Sequence, residues 1–301
     1  MAGTYLKARA LIKRILPRSL VRGLVQRMPD RTVTRVVPHV DGTLAFGLRR
    51  HHWLMSDRCF EGHGLTLGLF QHMAREGDVF YDVGANIGYY ARWSLANLPI
   101  RKLVAFEPMA ANLTILRKNR ELAKRQGDFD IHDLALSDQD GDAELQTDDQ
   151  SDGSAALSRV TGGAASESRA VRGLAPLVET VTERRLDTLL AEAPDLPPPS
   201  LMKVDTEGAE HLVLAGGRET FATHKPRLIL AMHGKDRAEE SLSLLADVGY
   251  HVAGWVGKDA ERQWQMFRPG DAALMSDNNC VAAFDEADVA TPAPVLDLSV
   301  S

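Results

Sequence analysis

The chain has 301 residues, 44% hydrophobic, 25% charged and 6% aromatic, with a formal net charge of −6. That is the balance of an ordinary globular protein, and no apolar run approaches the roughly 18 residues of a membrane span. The two cysteines, Cys59 and Cys280, stand far apart and outside any C-x-x-C spacing, which excludes a disulfide framework and a cysteine metal site.

Charge is uneven along the chain: residues 1–50 carry a net +9, leaving −15 for the remainder. An acidic body of this kind argues against a broad nucleic-acid groove. Within the basic head, residues 5–28 space Leu6, Ala10, Ile12, Ile15, Leu16, Leu20 and Val21 at helical intervals among Lys and Arg. We read 1–30 as a basic amphipathic segment bent near Pro17, able either to pack on the domain or to rest on an anionic membrane surface. Lys7, Arg9, Lys13 and Arg14 interrupt any secretory h-region, so the chain is expected in the cytoplasm, with peripheral contact at the inner membrane surface through residues 5–28.

Residues 31–76 are expected as a hairpin and helix extension, because TVTRVV and TLAFGL flank an Asp41-Gly42 turn signal. From residue 77 to 284 short apolar runs alternate with helical ones. VFYDV leads to a helix from about Asn86, LVAFE to a helix from about Ala110, and a strand spans Ile131 to Leu136. LMKVD, a helix from about Ala209, RLILAMH, a helix over Ala238 to Val248, YHVAGWV and NNCVAAF follow. This is the rhythm of βαβ units and predicts a parallel sheet of six or seven strands covered on both faces. Residues 141–175 are rich in Gly, Ser, Asp and Ala and predict a flexible insertion without a core, either a lid or a plain loop, before a helix near Leu186. Residues 285–301 read as a polar tail. Trp93 is expected in the core.

The most informative stretch is GDVFYDVGANIGYYA, where a strand ending in Asp82 passes directly into Gly84-Ala85-Asn86-Ile87-Gly88 and then a helix. Gly84 and Gly88 let the backbone turn tightly and approach a ligand closely. The helix start offers free N–H groups. With eighteen residues between it and Gly88, Glu107 ends the next strand, where a carboxylate can accept both ribose hydroxyls of an adenosine.

A second cluster gathers at the same sheet edge. Lys203 and Asp205 share one face of a strand by its period of two, and His233 ends the neighbouring strand. An imidazole or carboxylate there suits removal of a hydroxyl proton. No metal is assigned: the D-x-E-x-x-E string spreads its side chains around a helix start, so Asp205, Glu207, Glu210 and His233 are not all expected to converge.

The set D-V-G-A-N-I-G, F-E-P, A-L-S-D and K-V-D-T-E-G-A-E resembles the FkbM family of methyltransferases, over about Phe60 to Phe284. The resemblance implies a Rossmann-like class I methyltransferase fold, a seven-stranded, mostly parallel α/β sheet with helices on both faces, and S-adenosyl-L-methionine as donor. It implies a cofactor loop of Asp82, Gly84, Ala85, Asn86 and Gly88, with Glu107 on the ribose and Ala135, Ser137 and Asp138 beside the adenine. Glu61 matches an acidic residue before the first helix and, with Glu207 and Glu210, is assigned to the substrate side. The implied reaction is O-methylation of a small-molecule or glycan acceptor, meaning a sugar, lipid-linked or secondary-metabolite hydroxyl, with Asp205 or His233 taking the proton and Lys203 beside them. A non-catalytic nucleotide-binding module and an NAD-dependent oxidoreductase are the alternatives, the latter disfavoured because the glycines do not follow G-x-G-x-x-G.

Overall fold

The computed structural model describes residues 30–37, 39–51, 54, 60–147, 155–160, 170, 173, 175, 177–257, 261–274 and 279–298, with nothing described of the Glu61 side chain. The amphipathic segment expected over 1–30 falls, apart from Asp30, outside the described residues, as do Cys59 and the Gly/Ser-rich stretches 148–154 and 161–169. No helix among the described residues is long and apolar enough to cross a membrane.

The hairpin comes first, with β1 (Thr32–Val37) and β2 (Gly42–Gly47) antiparallel, followed by helix α1 (Gly64–Met73). Next come β3 (Val79–Val83), α2 (Tyr89–Asn97), β4 (Lys102–Phe106), α3 (Ala110–Glu121) and β5 (Phe129–His132). Four short strands follow: β6 (Ala135–Leu136), β7 (Gly141–Thr147), β8 (Ala155–Leu157) and β9 (Leu177–Arg184). The second half runs α4 (Leu186–Glu192), β10 (Leu201–Val204), α5 (Glu210–Gly216), α6 (Arg218–His224), β11 (Arg227–Ala231), α7 (Lys235–Val248), β12 (His251–Val256), β13 (Gln263–Phe267) and β14 (Asn279–Ala283).

The main sheet has the order β13-β12-β14-β11-β10-β3-β4-β5. Strands β5, β4, β3, β10 and β11 are parallel, and β14 inserts antiparallel between β11 and β12. The expected seven strands are present, and β13 adds an eighth at the edge, antiparallel to β12. All five residues of β3 are buried, and their alternation feeds two cores. Phe80 joins Leu67, Phe70, Trp93 and Leu116 on one face, whereas Val79, Tyr81 and Val83 join Leu186, Val213, Phe221 and Leu242 on the other. That is why these strands read as continuous apolar runs. The chain leaves β3 toward β4 on one side and β10 toward β11 on the other, so the crevice between the β3 and β10 loops lies at the switch point where such sheets bind ligands.

Three expectations change. The strand expected over Ile131 to Leu136 breaks at Asp133 and Leu134: β5 stays in the main sheet, while β6 joins a second sheet of order β6-β9-β7-β8. Residues 141–175, expected to lack a core, supply β7 and β8 to that sheet. The few apolar side chains there, Leu145, Leu157 and Val160, cannot enclose a core alone, so they pack with Val181 against Met109 and Ala209 of the main body. Residues 285–298 are not simply a polar tail either. Val289, Ala293 and Leu298 are buried, and Leu296 N donates to Gly64 O at 3.1 Å. This segment runs against Gly64 and Gly68 of α1, where a Cβ would collide with the Leu296 and Pro294 carbonyls.

Polar side chains fasten the hairpin. Arg92, 0% exposed, donates to the carbonyls of Thr43 and Asn119 at 3.0 Å and pairs with Asp41 at 2.5 Å. Asn119 accepts from Ala45 N at 2.6 Å and donates to the Ala45 and Ile87 carbonyls at 2.9 and 2.6 Å. One buried amide thus ties the hairpin to the glycine loop, since leaving either group unpaired in the interior is costly.

Candidate functional site

The loop after β3 turns by placing three residues in left-handed backbone, Gly84 (φ +73°), Asn86 (φ +52°) and Gly88 (φ +83°). At Gly84 a side chain is excluded twice, by that φ and by the Asp205 carbonyl, which a Cβ would overlap. The loop is held from β4: Gly84 N and Ala85 N both donate to the Phe106 carbonyl at 3.0 Å, and Asn86 N donates to Glu107 Oε2 at 2.8 Å. The other Glu107 oxygen accepts from Met109 N at 2.9 Å and from Asn112 Nδ2 at 3.3 Å. Burial pushes the Glu107 carboxyl up to about 7, against the opposing pull of these donors.

A cavity of about 300 Å³ opens beside this loop. Its apolar end is walled by Phe106, Leu134, Leu136, Leu145, Ala155 and Leu157, so β7 and β8 of the insertion form one wall. Gly84, Ala85, Asn86, Glu107 and Asn112 line its middle, and Lys203, Asp205, Thr206 and Glu207 with His63, Tyr89 and Tyr90 line the far end.

The far end is built on charge. Lys203, buried on β10, lies 3.1 Å from Asp82 Oδ1 and 3.6 Å from Asp205 Oδ2, and donates to the Gly84 carbonyl at 3.1 Å. Burial alone would lower its pKa, but Asp82 and Asp205 raise it, so the ammonium keeps its proton. Asp82 is completely buried and shares that one cation with Asp205; desolvation therefore raises its pKa in spite of the ion pair. Beyond Asp205, Glu207 at φ +55° and Gly208 at φ +107° fold the chain back. Glu210, 1% exposed, then accepts from Thr206 N at 2.9 Å, Gly208 N at 3.1 Å and His233 Nδ1 at 3.0 Å. Burial would raise the Glu210 pKa, yet His233 and these N–H groups hold it below the usual range. For His233 burial works toward the neutral ring and loses to Glu210, Asp205 and Glu207, which push it up to about 9. The expectation of a proton-accepting imidazole therefore changes: near neutrality His233 already holds its proton.

Three of these four groups meet. Donor atoms of Asp205, Glu210 and His233 lie within 4.8 Å of one another, and His233 Nε2 is 3.9 Å from Glu207 Oε2 and 4.0 Å from Asp205 Oδ1. The left-handed Glu207 and Gly208, which no helical wheel anticipates, produce the convergence.

Of the expected cofactor residues, Gly84, Ala85, Asn86, Glu107 and Ala135 line the cavity. Gly88 instead stands against α3, where a Cβ would meet Leu116 Cδ1 at 2.5 Å. Asp82 lies beneath the floor, paired with Lys203. Ser137 and Asp138 turn away toward Arg159, which also pairs with the buried Glu183 at 2.6 Å. Glu210 supports His233 from behind instead of facing the cavity. Sequence reasoning missed His63, Tyr89 and Tyr90. His63 Nδ1 and the Tyr90 hydroxyl share a 2.7 Å hydrogen bond, and burial lowers the His63 pKa against the pull of Asp205. The paired tyrosines directly after Gly88 were the available signal.

A family profile described as the methyltransferase FkbM domain matches residues 82–252. Over 234 residues the chain is 31% identical to the 31-O-demethyl-FK506 methyltransferase FkbM of Streptomyces tacrolimicus, covering 72% of this chain and 85% of that protein. It is 29% identical over 143 residues to Methyltransferase 1 of Beauveria bassiana (strain ARSEF 2860), covering 45% of this chain and 56% of that one. Among solved structures, methyltransferase FkbM from Methylobacillus flagellatus KT aligns with a TM-score of 0.43 at 16% identity, over 69% of this chain and 43% of that one.

Proposed function

Because the chain belongs to the methyltransferase FkbM family, we propose that it methylates a hydroxyl oxygen with S-adenosyl-L-methionine as donor. The observation that carries this reading is Glu107, a buried carboxylate at the tip of β4, standing in one cavity with the glycine loop on one side and the Asp205 cluster on the other.

The Glu107 carboxylate is suited to the ribose hydroxyls of the cofactor, the aliphatic wall of Leu134, Leu136, Leu145 and Leu157 to its adenine, and the loop Gly84–Ile87 to its amino-acid end. Held by Glu107, the Gly84–Ile87 loop and the leucine wall, S-adenosyl-L-methionine would supply an electrophilic methyl group for an acceptor oxygen. The chain's own residues do the rest. Asp205 takes the hydroxyl proton, since Lys203 and His233 both hold theirs. Those two cations keep the Asp205 carboxylate oriented toward the acceptor. Most of the rate comes from positioning the acceptor oxygen against the methyl group.

The Streptomyces relative is named for an O-demethyl acceptor, which supports oxygen as the atom methylated here. We take the acceptor to be a sugar, a lipid-linked glycan or a secondary metabolite. A lipid-linked acceptor requires surface contact through residues 5–28, and unchanged liposome binding after deletion of 1–28 would remove it.

Calorimetric titration with S-adenosylhomocysteine tests the cofactor reading. Binding by the wild type and its loss in Glu107→Ala and Gly84→Val are expected. No binding by a folded wild type would overturn the reading.

A further inference from the structure

We propose that Asn112 binds one of the two ribose hydroxyls of the cofactor while Glu107 accepts the other, so that the pair reads a cis-diol the carboxylate does not hold alone. This division rests on the reading of the cavity as the cofactor site.

Glu107 has too few open positions for two hydroxyls. A carboxylate offers about four lone-pair sites, two on each oxygen. Oε1 accepts from Met109 N at 2.9 Å and from Asn112 Nδ2 at 3.3 Å, and Oε2 accepts from Asn86 N at 2.8 Å. The protein itself thus fills three sites, and the fourth, on Oε2, takes a single hydroxyl. Two of the three donors are main-chain groups, one in the left-handed turn at Asn86 and one at the start of α3. A ligand does not displace them without moving the loop or the helix.

Asn112 stands where the second hydroxyl needs a partner. It lies in the first turn of α3, is 1% exposed, borders the cavity and touches the carboxylate directly. Leu113 and Leu116, on the same helix, are buried in the main core and fix its position. The bond to Glu107 engages one N–H of an amide that carries both donors and an acceptor, which matches a hydroxyl that both gives and receives a hydrogen bond. The other asparagine at the cavity, Asn86, turns its side-chain oxygen to Ile87 N at 2.7 Å and serves its own loop. Because a hydrogen bond to a charged group is worth more than one to a neutral amide, the two hydroxyls contribute unequally.

Calorimetric titration of the full chain with S-adenosylhomocysteine and with its 2′-deoxy and 3′-deoxy analogues tests the division. The titrations are run well above the value of about 7 to which burial pushes the Glu107 carboxyl, so that it is ionised. In the wild type one analogue is expected to bind about 10–100-fold more weakly than S-adenosylhomocysteine and the other about 3–10-fold more weakly. Asn112→Ala is expected to lose the smaller difference alone: it binds S-adenosylhomocysteine and the second analogue equally, and still discriminates against the first. Asn112→Leu, which fills the same space without polar atoms, is expected to behave alike, and circular dichroism establishes that each variant is folded. Equal penalties for the two analogues in the wild type overturn the inference even where the variants do not fold. So does a loss of the same factor for all three ligands, which makes Asn112 a brace for Glu107 and nothing more. Unchanged or tighter binding of S-adenosylhomocysteine by the variants also overturns it, since the carboxylate then takes both hydroxyls. Each of these results leaves the cofactor reading standing, whereas a folded wild type that binds none of the three ligands removes that reading and the division with it.

Discussion

The two ends of the cavity are built by opposite means. The end proposed for the cofactor uses backbone N–H groups, aliphatic side chains and one carboxylate. The end proposed for the acceptor uses four carboxylates, a lysine and a histidine, packed closely enough to move one another's protonation. The first construction holds a ligand by shape and tolerates little change of backbone. The second holds charge in balance and does not tolerate the loss of a partner.

Asp205→Asn breaks the acceptor end most sharply. Methyl transfer is expected to fall by about 100- to 10,000-fold, with S-adenosylhomocysteine affinity unchanged, as read by single-turnover kinetics beside calorimetry. A parallel loss of cofactor affinity would mean that the two ends are not separable.

Gly84→Val breaks the cofactor end through the backbone. Positive φ and the collision with the Asp205 carbonyl predict a destabilisation of about 2–4 kcal/mol, seen as a lower denaturant midpoint with cofactor binding lost.

Glu107→Ala is expected to weaken S-adenosylhomocysteine by about 10–100-fold, as befits hydrogen bonds to a charged group. The same residue sharpens the comparison through pH. With its carboxyl pushed up to about 7, Glu107 gains a proton as pH falls through that value, and affinity should fall with it; Glu107→Gln should bind weakly at every pH. The stability effect has its own sign. The folded state holds this proton more tightly than the unfolded chain, so the contribution of Glu107 to stability declines as pH rises from the ordinary carboxylate range toward 7. Denaturant melts of wild type against Glu107→Gln across that window measure it.

Arg159→Met should have the smallest effect. The guanidinium pairs Asp138 and Glu183 at the end of β8, one wall of the apolar end, and its side chain is partly exposed. We expect release of S-adenosylhomocysteine to speed up by at most about five-fold.

The same contrast explains what could be read in the sequence. The backbone of the end proposed for the cofactor was legible because its constraints are local: Gly84 must accept left-handed backbone, and Glu107 must follow the adjacent strand, so residue type and spacing carry the information. Lys203 and Asp205 could be placed on one face by the strand period of two, and His233 at the same edge because it follows the neighbouring strand. What their side chains do there was not readable. The proton on His233 depends on Glu210, which reaches it only because Glu207 and Gly208 adopt positive φ. Likewise β7 and β8 were hidden because their core is borrowed from Met109 and Ala209. The burial of residues 285–298 depends on the groove that Gly64 and Gly68 leave in α1, a fact about shape and not about the composition of that segment.

Gly84 also has a consequence for how two ligands sense each other. Between it and the Asp205 carbonyl there is no room for even a methyl group, so the loop at one end and the strand tip at the other meet main chain to main chain. A ligand that displaced either backbone segment would press on the other, and any coupling that resulted would be symmetric: the factor by which one ligand changed the affinity of the other would be the factor by which its own affinity changed. The sequence of arrival then affects only how fast the ternary state is reached, while its stability is the same by either route.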